Sequence, residues 1–346
     1  MRDSWVLKQF KAFIMQPTLF DRIIVKIYNI LRKPYRSIFG EYHREHKNVC
    51  NDATVVNNKI FALLNSKDSC MIARFGNNEL ECTIFGRNRL HYRYHLISYL
   101  SGESDIWWYP TSIVKKMFFN AGFFTPTLKQ LNRFSKEMIK SMSLVDVLGS
   151  WIPNDESYFT KELENAFFVN LELLSPLWCG DAEPWTMALA GKRVLVVHPF
   201  VETIKKQYSR RELIHKDVRT LPDFELLTIK SVQSITGVKP DDFNTWFDAL
   251  RYMEDQIDKI DYDVCLIGCG AYGFLLAAHC KMKGKKAVHL GGALQLLFGI
   301  KGKRWEDPNY GFAGKNYLSF MNEYWVRPSK EETPTLSNSV EGSCYW

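Results

Sequence analysis

Asp263-Val-Cys-Leu-Ile267-Gly268-Cys-Gly270-Ala-Tyr-Gly273 is the stretch on which the fold of this chain turns. An apolar run of strand length meets glycines spaced Gly-x-Gly-x-x-Gly, and a helical pattern from Ala271 to Lys283 follows, with Gly284 past its end. Strand, glycine turn and helix in that order are the context in which such spacing has physical meaning. The glycines permit a tight turn and close approach of a phosphate, and the helix start offers unpaired N–H groups with a positive dipole end. A turn needed only for helix–sheet packing has the same pattern. The next strand ends in His289-Leu290-Gly291-Gly292, where an NAD site wants Asp or Glu for the ribose hydroxyls.

The grammar around this stretch is regular. Strands are expected at Arg193 to His198, Phe224 to Lys230, Asp263 to Ile267 and Lys286 to Leu290. Helices are expected from Glu183 to Gly191, at Val201 to Leu213, Thr245 to Ile257 and Ala293 to Phe298. Continuous apolar runs such as Val194-Leu-Val-Val197 fit strands buried on both faces. Alternating strands and helices imply an α/β, Rossmann-like parallel sheet with helices on both faces. Toward the amino end, Val55 to Leu64 has helical spacing, Cys70 to Ala73 reads as a short buried strand, and a helix begins at Gly76. Leu90 to Leu148 is aromatic-rich and mainly helical, punctuated by Pro110 and Pro126, with a second strand expected at Ser143 to Leu148. The expected division is basic amphipathic helices over 1–48, an N-terminal lobe over 49–182, a nucleotide-binding half over 183–328 and a loose polar tail over 329–346.

With 346 residues the chain can bury a substantial core. Its net charge of +7 is uneven, for residues 1–40 hold eight Lys and Arg against Asp3 and Asp21. With Trp5, Phe10, Phe13, Ile14, Leu19, Phe20, Ile23, Ile24 and Ile27, this basic start reads either as a helix packed on the domain or as a peripheral contact with an anionic membrane. No run reaches the roughly 20 apolar residues of a spanning helix, and no signal-peptide pattern is present. The expected location is the cytoplasm, at most on the inner face of the membrane. The eight cysteines are scattered and read as reduced thiols without structural zinc. No nucleic-acid partner is expected.

Three groups could carry chemistry. Arg74-Phe75-Gly76-Asn77-Asn78-Glu79 lies at a strand-to-helix edge; Arg74 has a planar fork for phosphate and Glu79 could bind a cation or an acceptor hydroxyl. The alternative makes Asn77 a helix cap and Glu79 a first-turn dipole partner. His198 ends a buried strand, where open α/β sheets bind ligands. Lys303 and Arg304 follow Gly299 in a loop and form a candidate anion clamp. Asp146 is a further carboxylate that could act as a base.

On these residues the chain resembles bacterial glycosyltransferase-like proteins of the GT-D type, in which an Arg-x-Gly-Asp-x-Glu segment binds donor and metal. Arg74, Gly76 and Glu79 match, and Asn77 stands in place of the Asp. The segment 190–305, with its Ile-Gly-Cys-Gly-Ala-Tyr-Gly and His-Leu-Gly-Gly-Ala runs, is similar to polysaccharide-locus proteins. The resemblance implies a glycosyltransferase taking a nucleotide sugar as donor and a cell-surface glycan or glycolipid as acceptor. Arg74, Gly76, Asn77, Gly268, Gly270, Gly273, Lys303 and Arg304 would bind the donor, and Glu79 with Asn77 would hold Mn²⁺ or Mg²⁺. Glu79, His198 and Asp146 are the catalytic candidates. The rivals are a NAD(P)- or S-adenosylmethionine-dependent enzyme and a non-catalytic nucleotide or glycan binder.

Overall fold

A computed structural model describes residues 17–234, 239–334 and 344–346. The elements that matter are, in chain order, α1 (Leu19–Phe39), α2 (Ala53–Asn65), β1 (Cys70–Arg74), α3 (Asn77–His91), α4 (Leu96–Ser101), α5 (Thr111–Phe119), α6 (Leu128–Met142), β2 (Val147–Ser150), α7 (Pro153–Glu156) and β3 (Phe167–Asn170), followed by β4 (Arg193–His198), α8 (Val201–Tyr208), β5 (Glu225–Lys230), α9 (Trp246–Asp258), β6 (Val264–Ile267), α10 (Gly273–Met282), β7 (Lys286–His289) and α11 (Leu294–Leu297).

Among the described residues seven parallel strands form one sheet in the order β3-β2-β1-β7-β6-β4-β5. This is the α/β, Rossmann-like architecture expected from the alternation of strands and helices. Side chains alternate between the faces, as a pleated strand requires. Met71, Ala73, Leu195, Val197, Cys265 and Ile267 pack under α3, α6, α9 and α10. Cys70, Ile72, Val194, Val196, Leu266 and Val288 face the opposite layer, with α2, α8 and α11. Burial on both sides explains the unbroken apolar runs. Adjacent strands β1 and β7 send their following helices to opposite faces, as do β6 and β4, so crevices open at their carboxyl ends.

Several expectations are corrected. The division at 182/183 is not a break in the sheet, because β1 pairs with β7 through Met71 opposite Ala287 and Ile72 opposite Val288. The strand expected at 143–148 runs from Val147 to Ser150, since the N–H groups of Leu144 and Val145 close turns onto Ser141 and Met142. A full helix over 183–191 is replaced by a 3₁₀ turn, Trp185–Leu189. The expected loose tail is packed where described. Glu332 is buried, its carboxylate accepting from the N–H groups of Glu202 and Thr203 at 2.8 and 3.1 Å, and Cys344 is buried as well. All eight cysteines are free thiols. Among the described residues no helix is long and apolar enough to cross a membrane. The part of the basic start before residue 17 lies outside the described residues.

Candidate functional site

The carboxyl ends of β1, β7, β6 and β4 bring Arg74, His289, Gly268 and His198 into one row. Over that row lies a cavity of about 290 Å³. Its wall is completed by the first turn of α3, by Ser231 to Ser234 after β5, by Trp151 after β2, and by Arg304, Tyr345 and Trp346. The register that pairs Ile267 with His289 and Val197 with Ile267 sets these ends level.

Arg74 leaves the end of β1 half-buried, with its guanidinium 5.0 Å from the centre of the Trp151 ring. Trp151 is fixed in turn, its indole N–H donating to the Phe75 carbonyl at 3.0 Å. The buried Glu156 carboxylate takes the N–H groups of Trp151 and Ile152 and the Ser150 hydroxyl. Burial raises the Glu156 pKa, and these hydrogen bonds offset part of that. Among the described residues Arg74 itself has no ion pair and no hydrogen bond. On the far side of Arg74 a smaller cavity of about 60 Å³ holds Glu172, which accepts from the Tyr317 hydroxyl. Burial pushes Glu172 above the usual carboxylate range, against the lowering effects of Tyr317, Arg74 and Arg304.

The two histidines are buried and uncharged. His198 Nδ1 accepts from the Phe200 N–H at 3.0 Å, which leaves the ring proton on Nε2. His289 Nδ1 lies 3.3 Å from the Ile267 carbonyl, so Nδ1 carries the proton there. Burial lowers each to about 3, and for His289 the Arg74 charge adds to the effect. His198 is therefore a donor at Nε2 rather than a base, because its accepting nitrogen is already engaged.

The glycine turn is built around these rings. A Cβ on Gly268 would lie 2.7 Å from His198 Cδ2, and one on Gly273 would lie 2.1 Å from His289 Cε1. Packing alone thus explains two of the three motif glycines. Gly270 differs, for it has φ +57° and a Cβ there would meet nothing within 4 Å. Its left-handed backbone favours glycine, and it lines the cavity.

The other expected site residues divide. Asn77 and Glu79 line the cavity, but Gly76, not Asn77, is the N-cap of α3. The Glu79 carboxylate folds back so closely that a Cβ on Gly76 would lie 2.0 Å from its Oε2. Asn77 and Glu79 are the first and third residues of α3. Among the described residues no group of three or more His, Cys, Asp and Glu side chains could hold a metal ion. Arg304 lines the cavity and stacks on Tyr345 at 5.1 Å, whereas Lys303 is exposed and does not line it. Asp146 is removed from the site altogether. It lies at the amino edge of the sheet, where it accepts from the Met71 N–H and from Lys281 Nζ, both at 2.7 Å.

Residues the sequence reading did not single out complete the wall. His289 carries the same signal as His198, a histidine at the carboxyl end of a buried strand, and could have been found by it. Trp151 directly follows β2 and was missed because that strand was expected to end at Leu148, whereas Tyr345 and Trp346 carry no local signal. Ser231 Oγ and Trp346 Nε1 are buried without a hydrogen-bond partner among the described residues. Buried polar atoms in folded proteins are rarely left so. Comparison of the chain with family models, with curated proteins and with solved structures finds no match.

Proposed function

We propose that this chain is a glycosyltransferase that moves a sugar from a nucleotide-sugar donor to a cell-surface glycan or lipid-linked acceptor. The observation that carries this reading is the convergence of Arg74 and Arg304 on one cavity in which Glu79 is the only lining side-chain carboxylate among the described residues. The Arg74 guanidinium, which has no ion pair among the described residues, suits an anion with several acceptor oxygens. A diphosphate fits that description, and the open side of Gly270 is where it would approach the backbone. The two arginines supply positive charge that offsets the leaving diphosphate.

In this reading the acceptor hydroxyl oxygen attacks the anomeric carbon, and the bond from that carbon to the diphosphate oxygen breaks. The acceptor proton passes to Glu79, and the nucleoside diphosphate departs against Arg74 and Arg304. The indoles of Trp151 and Trp346 offer faces suited to sugar rings, and the unpartnered Ser231 hydroxyl and Trp346 N–H supply hydrogen bonds to hydroxyls.

Calorimetry against nucleoside diphosphates, nucleotide sugars, NAD and S-adenosylmethionine, each with and without Mn²⁺, tests this reading. A diphosphate-containing ligand is expected to bind tightest. Arg74→Lys is expected to weaken it about tenfold, because a point charge keeps attraction and loses the fork. Tighter binding of NAD or S-adenosylmethionine than of every nucleotide sugar would replace the reading with that of a cofactor enzyme. Nucleotide-sugar binding without turnover on any acceptor would leave a sensor.

A further inference from the structure

The helix α1 is packed on the domain with its orientation reversed. In a globular protein the apolar stripe of a surface helix faces the core and the polar side faces water. Here Leu19, Phe20, Ile23, Ile27, Ile30 and Ile38 are all exposed, with Leu19 at 75% and Ile30 at 74%. At 100° per residue these six fall within one stripe. The domain instead holds the polar side. Asp21 is buried and accepts from the Trp107 indole N–H at 2.8 Å and the Tyr94 hydroxyl at 2.9 Å. Burial alone would raise its pKa, but hydrogen bonds from Thr18, Trp107 and Tyr94 outweigh that and keep it ionised. The Asn29 amide oxygen accepts from Tyr99, Arg36 Nε donates to the Leu100 carbonyl, and Arg32 lies 4.9 Å over the Tyr99 ring. These contacts fix the rotation of the helix about its axis, so the stripe cannot turn inward.

Charge identifies what covers it. Between Leu19 and Phe39 the sole acid is the buried Asp21, and five residues are Arg or Lys. Arg22, Lys26 and Lys33 are exposed along one border of the apolar stripe. An apolar stripe bordered by cations, with no exposed acid, matches the headgroup and acyl boundary of an anionic bilayer. Ile97, on the α4 helix packed against α1, is likewise exposed. We propose that α1 is the membrane-binding element of this protein, seating its outward apolar stripe in an anionic leaflet with the polar side anchored to the domain. This stands independently of the reading of the cavity.

Vesicle co-sedimentation of the full chain tests the proposal. Vesicles of phosphatidylcholine with phosphatidylglycerol are expected to bind the protein, and phosphatidylcholine alone to bind it about tenfold less. Ile23→Glu combined with Ile30→Glu changes two exposed positions and is expected to leave the melting temperature unchanged while lowering binding by about tenfold or more. Lys26→Gln combined with Lys33→Gln is expected to remove most of the preference for phosphatidylglycerol. Affinity for nucleotide ligands is expected to be the same in all three proteins. Equal vesicle binding by the parent and the Ile23→Glu, Ile30→Glu protein would overturn the proposal. So would a dimer in solution that this variant splits and that ignores vesicles, because the stripe would then be covered by a second copy.

Discussion

At the residue scale the site rests on two neutral imidazoles and one carboxylate. His198 and His289 are held near pKa 3, and the ordinary value for an exposed histidine is 6.5. The unfolded chain therefore takes up protons below about pH 6.5 that the fold refuses. Their contribution to stability is complete above pH 6.5 and declines as pH falls toward 3. His289→Gln keeps a donor for the Ile267 carbonyl and removes one such proton. Its melting temperature is expected to fall less than the parent's between pH 7 and pH 5, and parallel curves would show that His289 is not held neutral. Glu79 poses a different question, because its carboxylate, against the N-cap Gly76, is placed like the acidic half of a capping box. If capping is its whole role, Glu79→Gln costs a few tenths to about 1 kcal/mol and leaves transfer intact. As the proton acceptor in the proposed reaction, it is expected to lower kcat by on the order of 100-fold, about 2.7 kcal/mol of barrier, at nearly constant melting temperature. The cavity position of Arg74 and Glu79 was legible because a strand end followed by a helix start puts both at the carboxyl edge of a sheet. Asp146 was not, since sequence does not tell which end of a four-residue strand a neighbouring carboxylate meets.

At the scale of elements the two helix starts near the cavity are treated differently. The start of α8 is closed by Glu332, whose carboxylate takes two backbone N–H groups and the Thr203 hydroxyl from 129 residues away. The start of α3 has glycine at its N-cap, with the Glu79 carboxylate of its own first turn folded back against it. A carboxylate distant in sequence thus meets one positive dipole end, and a carboxylate of the helix itself meets the other. Glu332→Ala is expected to cost about 2 kcal/mol by urea denaturation with an unchanged m-value, because buried N–H donors lose their acceptor. A cost below a few tenths would mean that water replaces the carboxylate. The strands β4, β6 and β7 were legible from their apolar runs, and α9 and α10 from their helical patterns. The helix expected to run to Leu213 stops at Tyr208, and its last stretch becomes the 3₁₀ turn Arg211–Leu213. Periodicity of 3.6 residues does not separate one helix from a helix and a tighter turn in sequence.

At the scale of the molecule the sheet makes 49–182 and 183–328 one cooperative unit. The central pairing of β1 with β7 joins strands more than 200 residues apart, so neither part has a closed core alone. Calorimetry on the full chain is expected to give one unfolding transition for this sheet, and separately expressed 49–182 and 183–328 are expected not to fold. Two transitions, or a folded 183–328 fragment, would show that the sheet is divisible. What the sequence determined unaided is the class of architecture, because burial on two faces and alternation with helices are written in local composition. It also determined that Arg74, His198 and Gly270 end or follow strands, which places them at a carboxyl edge whatever the strand order. Strand order itself, the removal of Asp146 and Lys303, the approach of Trp151, Tyr345 and Trp346, and the outward turn of α1 were decided by tertiary structure. Each depends on contacts between residues distant in sequence, and the strength of such contacts is set by which partners the whole core leaves available. An amphipathic pattern specifies that a helix has two sides; the hydrogen bonds of Asp21 to Tyr94 and Trp107 decide which of them meets the protein.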